Sequence, residues 1–228
     1  MSYNFDVKQS PKVPVWIALE GIDASGKATQ TRLLAERLDA VSCAFPRYTG
    51  LLGETILAHL KSAPAEGKRT EWAQTLQALM VADRYAAVRT IKEVLLGDTV
   101  RNLVSDRYML SAYAYGKSDD LSYLFTDQLH VPLIKPDMHI LVDIPVDVSF
   151  QRRPVREDAY EANRGRLEAV RKHYLEIFDA PEIIEVCGPH KSWRDRDVVY
   201  ATVDGTKSES EVSDTIWNLV YGFREAIK

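Results

Sequence analysis

Residues 15–34, VWIALEGIDASGKATQTRLL, carry an apolar strand pattern into a glycine-framed turn and then into a helix pattern. Gly21 and Gly26 stand at the spacing of G-x-x-x-x-G-K-[ST]. That spacing lets backbone N–H groups converge on phosphate oxygens at a helix N-terminus, with the Lys27 ammonium reaching over them. The run Gly21, Ile22, Asp23, Ala24, Ser25, Gly26, Lys27, Ala28 and Thr29 is therefore read as a phosphate-binding loop, which makes nucleotide chemistry the starting hypothesis. The pattern breaks at one position. Ala28 stands where a hydroxyl would meet Mg²⁺, and Thr29, one residue along a helix, points about 100° away and is no simple replacement.

Beyond the loop, strand and helix patterns alternate. A helix over 28–38 leads to a short apolar strand over 41–45 (VSCAF), which gives way to a turn at FPRYTG. Arg47 and Tyr48 then lie at a strand's carboxyl end, where open α/β sheets bind ligands. Helices follow over 50–62 and 71–96, the second interrupted by Asp83 and Arg84 and closed by Gly97. A strand over 100–105 ends at Asp106, where a P-loop protein places its Walker-B acid. The tyrosine-rich run 110–116 and a further helical run to 129 precede an apolar strand over 138–144, suited to a parallel sheet covered on both faces. A helix begins at Pro145 and Asp147, and the arginine-studded connection 154–166 (PVREDAYEANRGR) is long enough for a lid. A helix over 166–178, a strand over 198–203 and an amphipathic helix over 209–227 complete the chain, and residues 183–196 receive no assignment.

This alternation after a phosphate loop predicts an α/β P-loop NTPase: a doubly wound, parallel, five-stranded sheet flanked by helices, with a small mobile lid at about 153–166. Residues 1–12 read as an N-terminal extension and 13–228 as one domain. The chain has 228 residues and a formal net charge of −4, which gives no reason to expect a nucleic-acid partner. Cys43 and Cys187 have neither CxxC spacing nor a disulfide framework. No run approaches the length of a membrane span, and the first dozen residues lack a signal peptide's apolar core, so a cytoplasmic protein without a membrane partner is expected.

Taken together, LEGIDASGKATQ, AFPRY, VADRY, VSDRY, LIKPD and EDAYE resemble the thymidylate kinases, over about residues 15 to 225. AFPRY and the DASGK loop look most like the bacterial branch. The resemblance implies ATP-dependent phosphorylation of dTMP to dTDP, Mg²⁺ as cofactor and a homodimer. It assigns Lys27 to the donor phosphates and Asp23 to the neighbourhood of the acceptor phosphate and magnesium. Arg107, with either Arg47 or Tyr48, would hold the acceptor's 5′-phosphate. Phe45, Met80 and Arg84 would form the thymine pocket, with Ser111 also on the substrate. Tyr115 would crowd the sugar 2′ position, and Tyr160 would pack on the nucleoside. Asp23 and Asp106 are the metal candidates, with Asp158 and Glu161 of the lid beside them.

Some thymidylate kinases carry an arginine after the loop aspartate; here that position is Ala24, so the resemblance moves the catalytic cation to the lid, first to Arg153 and then to Arg156. Two further departures are Met80, where an aromatic normally stacks on thymine, and Ala112, at an often polar position. They leave room for a kinase acting on another or a modified pyrimidine deoxynucleoside monophosphate. A GTPase-like switch or a non-catalytic nucleotide binder fits the loop alone, but the chain lacks N-K-x-D and a D-x-x-G after the third strand.

Overall fold

The computed structural model describes residues 13–64, 69–154, 163–185, 188 and 191–227. Its elements are β1 (Trp16–Glu20), α1 (Lys27–Leu38), β2 (Val41–Ala44), α2 (Gly50–Lys61), α3 (Arg69–Leu96), β3 (Leu103–Asp106), α4 (Met109–Ser118), α5 (Tyr123–His130), β4 (Met138–Asp143), α6 (Val146–Arg152), α7 (Arg164–Asp179), a 3₁₀ turn (Pro181–Ile184), β5 (Val199–Asp204) and α8 (Glu209–Ala226). The strands form one parallel sheet in the order β2-β3-β1-β4-β5.

Successive side chains of a strand point to opposite faces, so the fully buried WIALE of β1 must feed two cores. Trp16 and Ala18 join Ile91 and Leu95 of α3, Tyr113 of α4 and Tyr174 of α7 on one face. Ile17 and Leu19 join Leu34 and Leu38 of α1 and Ile216 and Val220 of α8 on the other. A third cluster, Ile56, Leu60, Trp72, Leu76 and Leu121, fixes α2 against α3.

β3 begins later than the pattern over 100–105 suggests. Val100 is 48% exposed ahead of the sheet. Asn102 spends its side chain at the sheet's lower edge, accepting from Val15 N at 3.1 Å and donating to Leu38 O at 2.9 Å. Asp106 is thus the last residue of β3, paired in register with Leu19.

Within the segment that the sequence left unassigned, residues 191–196 prove to be a strap. Trp193 Nε1 donates to Asp137 Oδ2 at 2.7 Å, the oxygen that also accepts from Trp16 N at 2.9 Å. Trp193 N donates to Lys135 O at 2.9 Å. The strap therefore closes the amino end of the sheet and leaves the carboxyl ends of β1 and β3 for ligands.

Candidate active site

The loop between β1 and α1 is shaped by backbone that few side chains permit. Gly21, Ala24 and Gly26 have φ of 145°, 59° and 99°. A Cβ on Gly21 would lie 2.6 Å from the Val142 carbonyl oxygen of β4, so glycine here allows the loop to pack on the sheet. Gly26 is the N-cap of α1 and provides no side-chain cap, and the helix's first turn holds no acid. Its leading N–H groups are left for an anion, which the helix dipole favours.

Lys27 is buried. Its Nζ donates to Ile22 O at 2.8 Å and Ser25 Oγ at 3.3 Å, which leaves one of three donors unused among the described residues. Burial, and then the Arg107 charge, lower its pKa to about 8 against the opposing pull of Asp106, Asp23 and Glu20. Ala28 is exposed, and Thr29 faces a cavity beside the loop.

Arg107, immediately after β3, has a φ of 63°. Its backbone N–H donates to Leu19 O at 2.8 Å, locking the turn to β1. Its guanidinium donates through Nη2 to Asp23 Oδ1 at 2.6 Å and Tyr115 OH at 3.2 Å, and through Nη1 to Ser111 Oγ at 3.3 Å and Tyr174 OH at 3.2 Å. Tyr115 OH in turn donates to Asp23 Oδ2 at 3.1 Å. Burial would raise the Asp23 carboxyl, but the charges of Arg107 and Lys27, with hydrogen bonds from Tyr115 and Arg107, outweigh it and hold the group below its ordinary value. Beneath this ring lies Glu20, fully buried, which accepts from Ser111 Oγ at 2.7 Å, Tyr174 OH at 3.2 Å and Tyr108 N at 2.9 Å. Burial raises its pKa against Ser111 and Arg107. Glu20 and Tyr174 escaped the sequence reading. Glu20 looked like the last residue of an apolar strand, and Tyr174 one helix position among many.

From Asp23 and Arg107 an open cavity of about 590 Å³, mouth included, runs back between α3 and α4. Phe45, Tyr48, Met80, Arg84, Ser111 and Tyr115 all line it. Arg47 does not. Its Nε donates to Asp83 Oδ1 at 2.8 Å, its Nη2 to Asp83 O at 2.8 Å, and its backbone N to Asp83 Oδ2 at 2.9 Å. Of the pair left open by the sequence, Tyr48 is therefore the one at the cavity, and Arg47 ties the turn after β2 to α3. Arg84 is buried, with Nη2 donating to Tyr108 O at 2.8 Å and Nη1 3.2 Å from His130 Nε2.

On the loop's other side a second cavity is lined by Ala24, Ser25, Gly26, Thr29, Arg152 and Lys207, among others. Here α6 contributes two residues that sequence reasoning missed. Ser149 Oγ donates to Asp23 O at 2.6 Å. Arg152 donates to Ala24 O at 3.4 Å, Ser25 O at 3.3 Å and Gly205 O at 2.8 Å. Positions 149 and 152 are three apart and share the face turned to the loop, whereas Arg153 is rotated about 100° onward. Arg153 is an exposed C-cap of α6 and lines neither cavity. Arg156, Asp158, Tyr160 and Glu161 lie outside the described residues. Arg164 pairs with Asp147 of α6.

Asp106 makes no side-chain hydrogen bond among the described residues and lies near enough to raise the Lys27 pKa. No group of three or more His, Cys, Asp or Glu that could hold a metal gathers among them.

A family model described as "Thymidylate kinase" matches residues 19–191. A probable thymidylate kinase of Methanocaldococcus jannaschii is 32% identical over 178 residues, spanning 78% of this chain and 89% of the relative. Another, from Metallosphaera sedula, is 34% identical over 167 residues, spanning 71% and 78%. Among solved structures, the thymidylate kinase of Candida albicans matches with a TM-score of 0.70 over 92% of both chains at 21% identity, a likeness of fold.

Proposed function

The chain belongs to the thymidylate kinase family and phosphorylates dTMP with ATP, and we propose that the cavity between α3 and α4 receives dTMP while the loop and second cavity receive ATP. One observation carries this arrangement. The carboxylate of the phosphate loop, Asp23, is bonded to Arg107 where the proposed acceptor cavity meets the loop, so the two anion sites meet at one ion pair.

The reaction needs alignment more than covalent chemistry: an oxygen of the dTMP phosphate attacks the γ-phosphorus of ATP and the bond to the ADP oxygen breaks. In this reading Arg107, held from four sides and strained in its turn, keeps its remaining donor capacity for the acceptor phosphate, with Tyr48 beside it. Lys27 directs its unused proton to the donor phosphates, and the N–H groups at the start of α1 bind them. Arg152 fixes the loop carbonyls so that those N–H groups face outward. Phe45, Met80 and Arg84 flank the base, Ser111 supports Arg107, and the Tyr115 ring borders the sugar, which disfavours a 2′-hydroxyl. Asp23 and Asp106 would hold Mg²⁺, which when bound neutralises charge on the phosphate oxygens.

Residues 13–228 form, in this proposal, one kinase domain whose basic lid, about 153–166, supplies Arg153 or Arg156 to the transferring group and Tyr160, Asp158 and Glu161 around it. No helix among the described residues is long and apolar enough to cross a membrane. A cytoplasmic homodimer without a nucleic-acid partner completes the proposal. Leu51, Tyr85 and Leu96 of α2 and α3 are exposed and would be covered by such pairing, which light scattering tests.

The deciding experiment supplies the purified chain with ATP and, at equal concentration, dTMP, dUMP, dCMP, UMP, dGMP or AMP. dTMP should be converted fastest. Faster conversion of dGMP or AMP would overturn the assignment of the cavity.

A further inference from the structure

Of the buried side-chain polar atoms that lack a partner among the described residues, two belong to residues of one helix that line the same cavity. Gln77 is 3% exposed and Arg84 1% exposed. Gln77 Oε1 and Arg84 Nε are both buried and unbonded among the described residues, and both residues line the cavity. They stand seven apart on α3, two helical turns, and so share a face. Around them the wall is apolar: Leu60, Leu76, Met80 and Ala112. A buried polar group left unbonded is costly, so two residues of one cavity wall that each keep such a group point to a ligand that bonds both once their side chains turn toward it.

Resting on the reading that this cavity takes the acceptor nucleotide, we propose that Gln77 is a specificity-determining residue, its side-chain amide bonding the N3 position of a 4-oxo pyrimidine while Arg84 Nε–H donates to O4. The chemistry of the two groups selects the base. Arg84 Nε can only donate, and thymine presents an acceptor at O4 where cytosine presents an amino donor. The Gln77 amide can turn to offer its oxygen to N3–H. With cytosine the Arg84 donor would face another donor, and a site built to hydrogen-bond its substrate rejects an analogue that leaves those groups unpaired. Ala112 has no polar group to share this task, and Met80 contributes contact without direction. The amide is thus the group in this wall that can read N3.

The test compares kcat/KM for dTMP, N3-methyl-dTMP and dCMP in the native protein and in Gln77→Met, which keeps length and removes the amide. Native protein should disfavour N3-methyl-dTMP strongly. In Gln77→Met the value for dTMP should fall by about tenfold or more, and the preference for dTMP over its N3-methyl form should shrink by a similar factor, the loss of one hydrogen bond to a buried partner. A residue that only packs would lower both substrates equally and leave that ratio unchanged, which would overturn the proposal. Gln77→Ala, read by the same ratio, serves if Gln77→Met does not fold. If the native protein converts no dTMP, the assignment of the cavity has failed. If it converts dTMP and the ratio is unmoved in the variant, the role of Gln77 alone has failed.

Discussion

Replacing Gly21 and Gly26 singly with Ala should separate two jobs that one motif performs. Both residues have positive φ, 145° and 99°, so each Ala carries backbone strain of about 1–3 kcal/mol. Only at Gly21 is there also a collision, with the new Cβ 2.6 Å from Val142 O and 3.0 Å from Ser25 Oγ. The Val142 carbonyl belongs to β4, an interior strand paired on both sides, and cannot swing aside, so overpacking adds about 1–3 kcal/mol. The new Cβ at Gly26 meets nothing within 4 Å and enters the open cradle ahead of α1, where phosphate is proposed to lie. Urea unfolding should therefore show Gly21→Ala destabilised by about 2–6 kcal/mol and Gly26→Ala by about 1–3 kcal/mol. Steady-state kinetics should show the reverse order for ATP. Gly26→Ala should raise its KM by about tenfold or more, since the added methyl group blocks close approach of phosphate to the backbone. Equal losses of stability, or a Gly26→Ala protein with normal KM for ATP, would refute the division of roles.

Lys27→Ala should lower kcat by about 10²–10³ while the protein still unfolds cooperatively, because the lost charge acts on the transferred group. Its pH dependence follows from the lowered pKa: burial and Arg107 bring the free lysine to about 8, so the fraction carrying the ammonium falls as pH rises through that value. kcat/KM for ATP should decline above about pH 8, while kcat, set by the nucleotide-bound enzyme, should hold to higher pH; a kcat/KM flat to about pH 9.5 would contradict this. Tyr115→Ala should raise UMP use relative to dUMP, and Tyr115→Phe, which keeps the ring but loses the hydroxyl on Asp23 and Arg107, should lower turnover without changing that ratio; competition assays read both. Arg152→Met should raise the KM for ATP through the loosened loop. Arg153→Met should lower kcat more than it raises the KM for dTMP, and near-normal kcat there would remove Arg153 as the transferring group's partner.

Local signals carried the architecture. The apolar run over 15–20, the glycine spacing of the loop and the alternation that follows specify strands, helices and a parallel sheet through chemistry confined to a few neighbouring residues. The same locality made Asp23, Lys27, Asp106 and Arg107 legible as a group, because each sits where a strand meets its loop. What depends on contacts far apart in sequence was not legible. Glu20 supports Ser111 and Tyr174 across 91 and 154 residues, and Arg152 reaches Ser25 across 127. Arg47 and Arg84 belong to motifs of equal prominence, yet Asp83 draws one away from the cavity while burial leaves the other with an unbonded Nε beside it. The rotation of a helix by one residue separates Arg152 from Arg153, and the packing of α6 on the loop decides which faces it. Sequence thus determined which groups this chain has for phosphate chemistry, and tertiary structure decided which of them converge, because desolvation and pairing exist only after distant segments have packed.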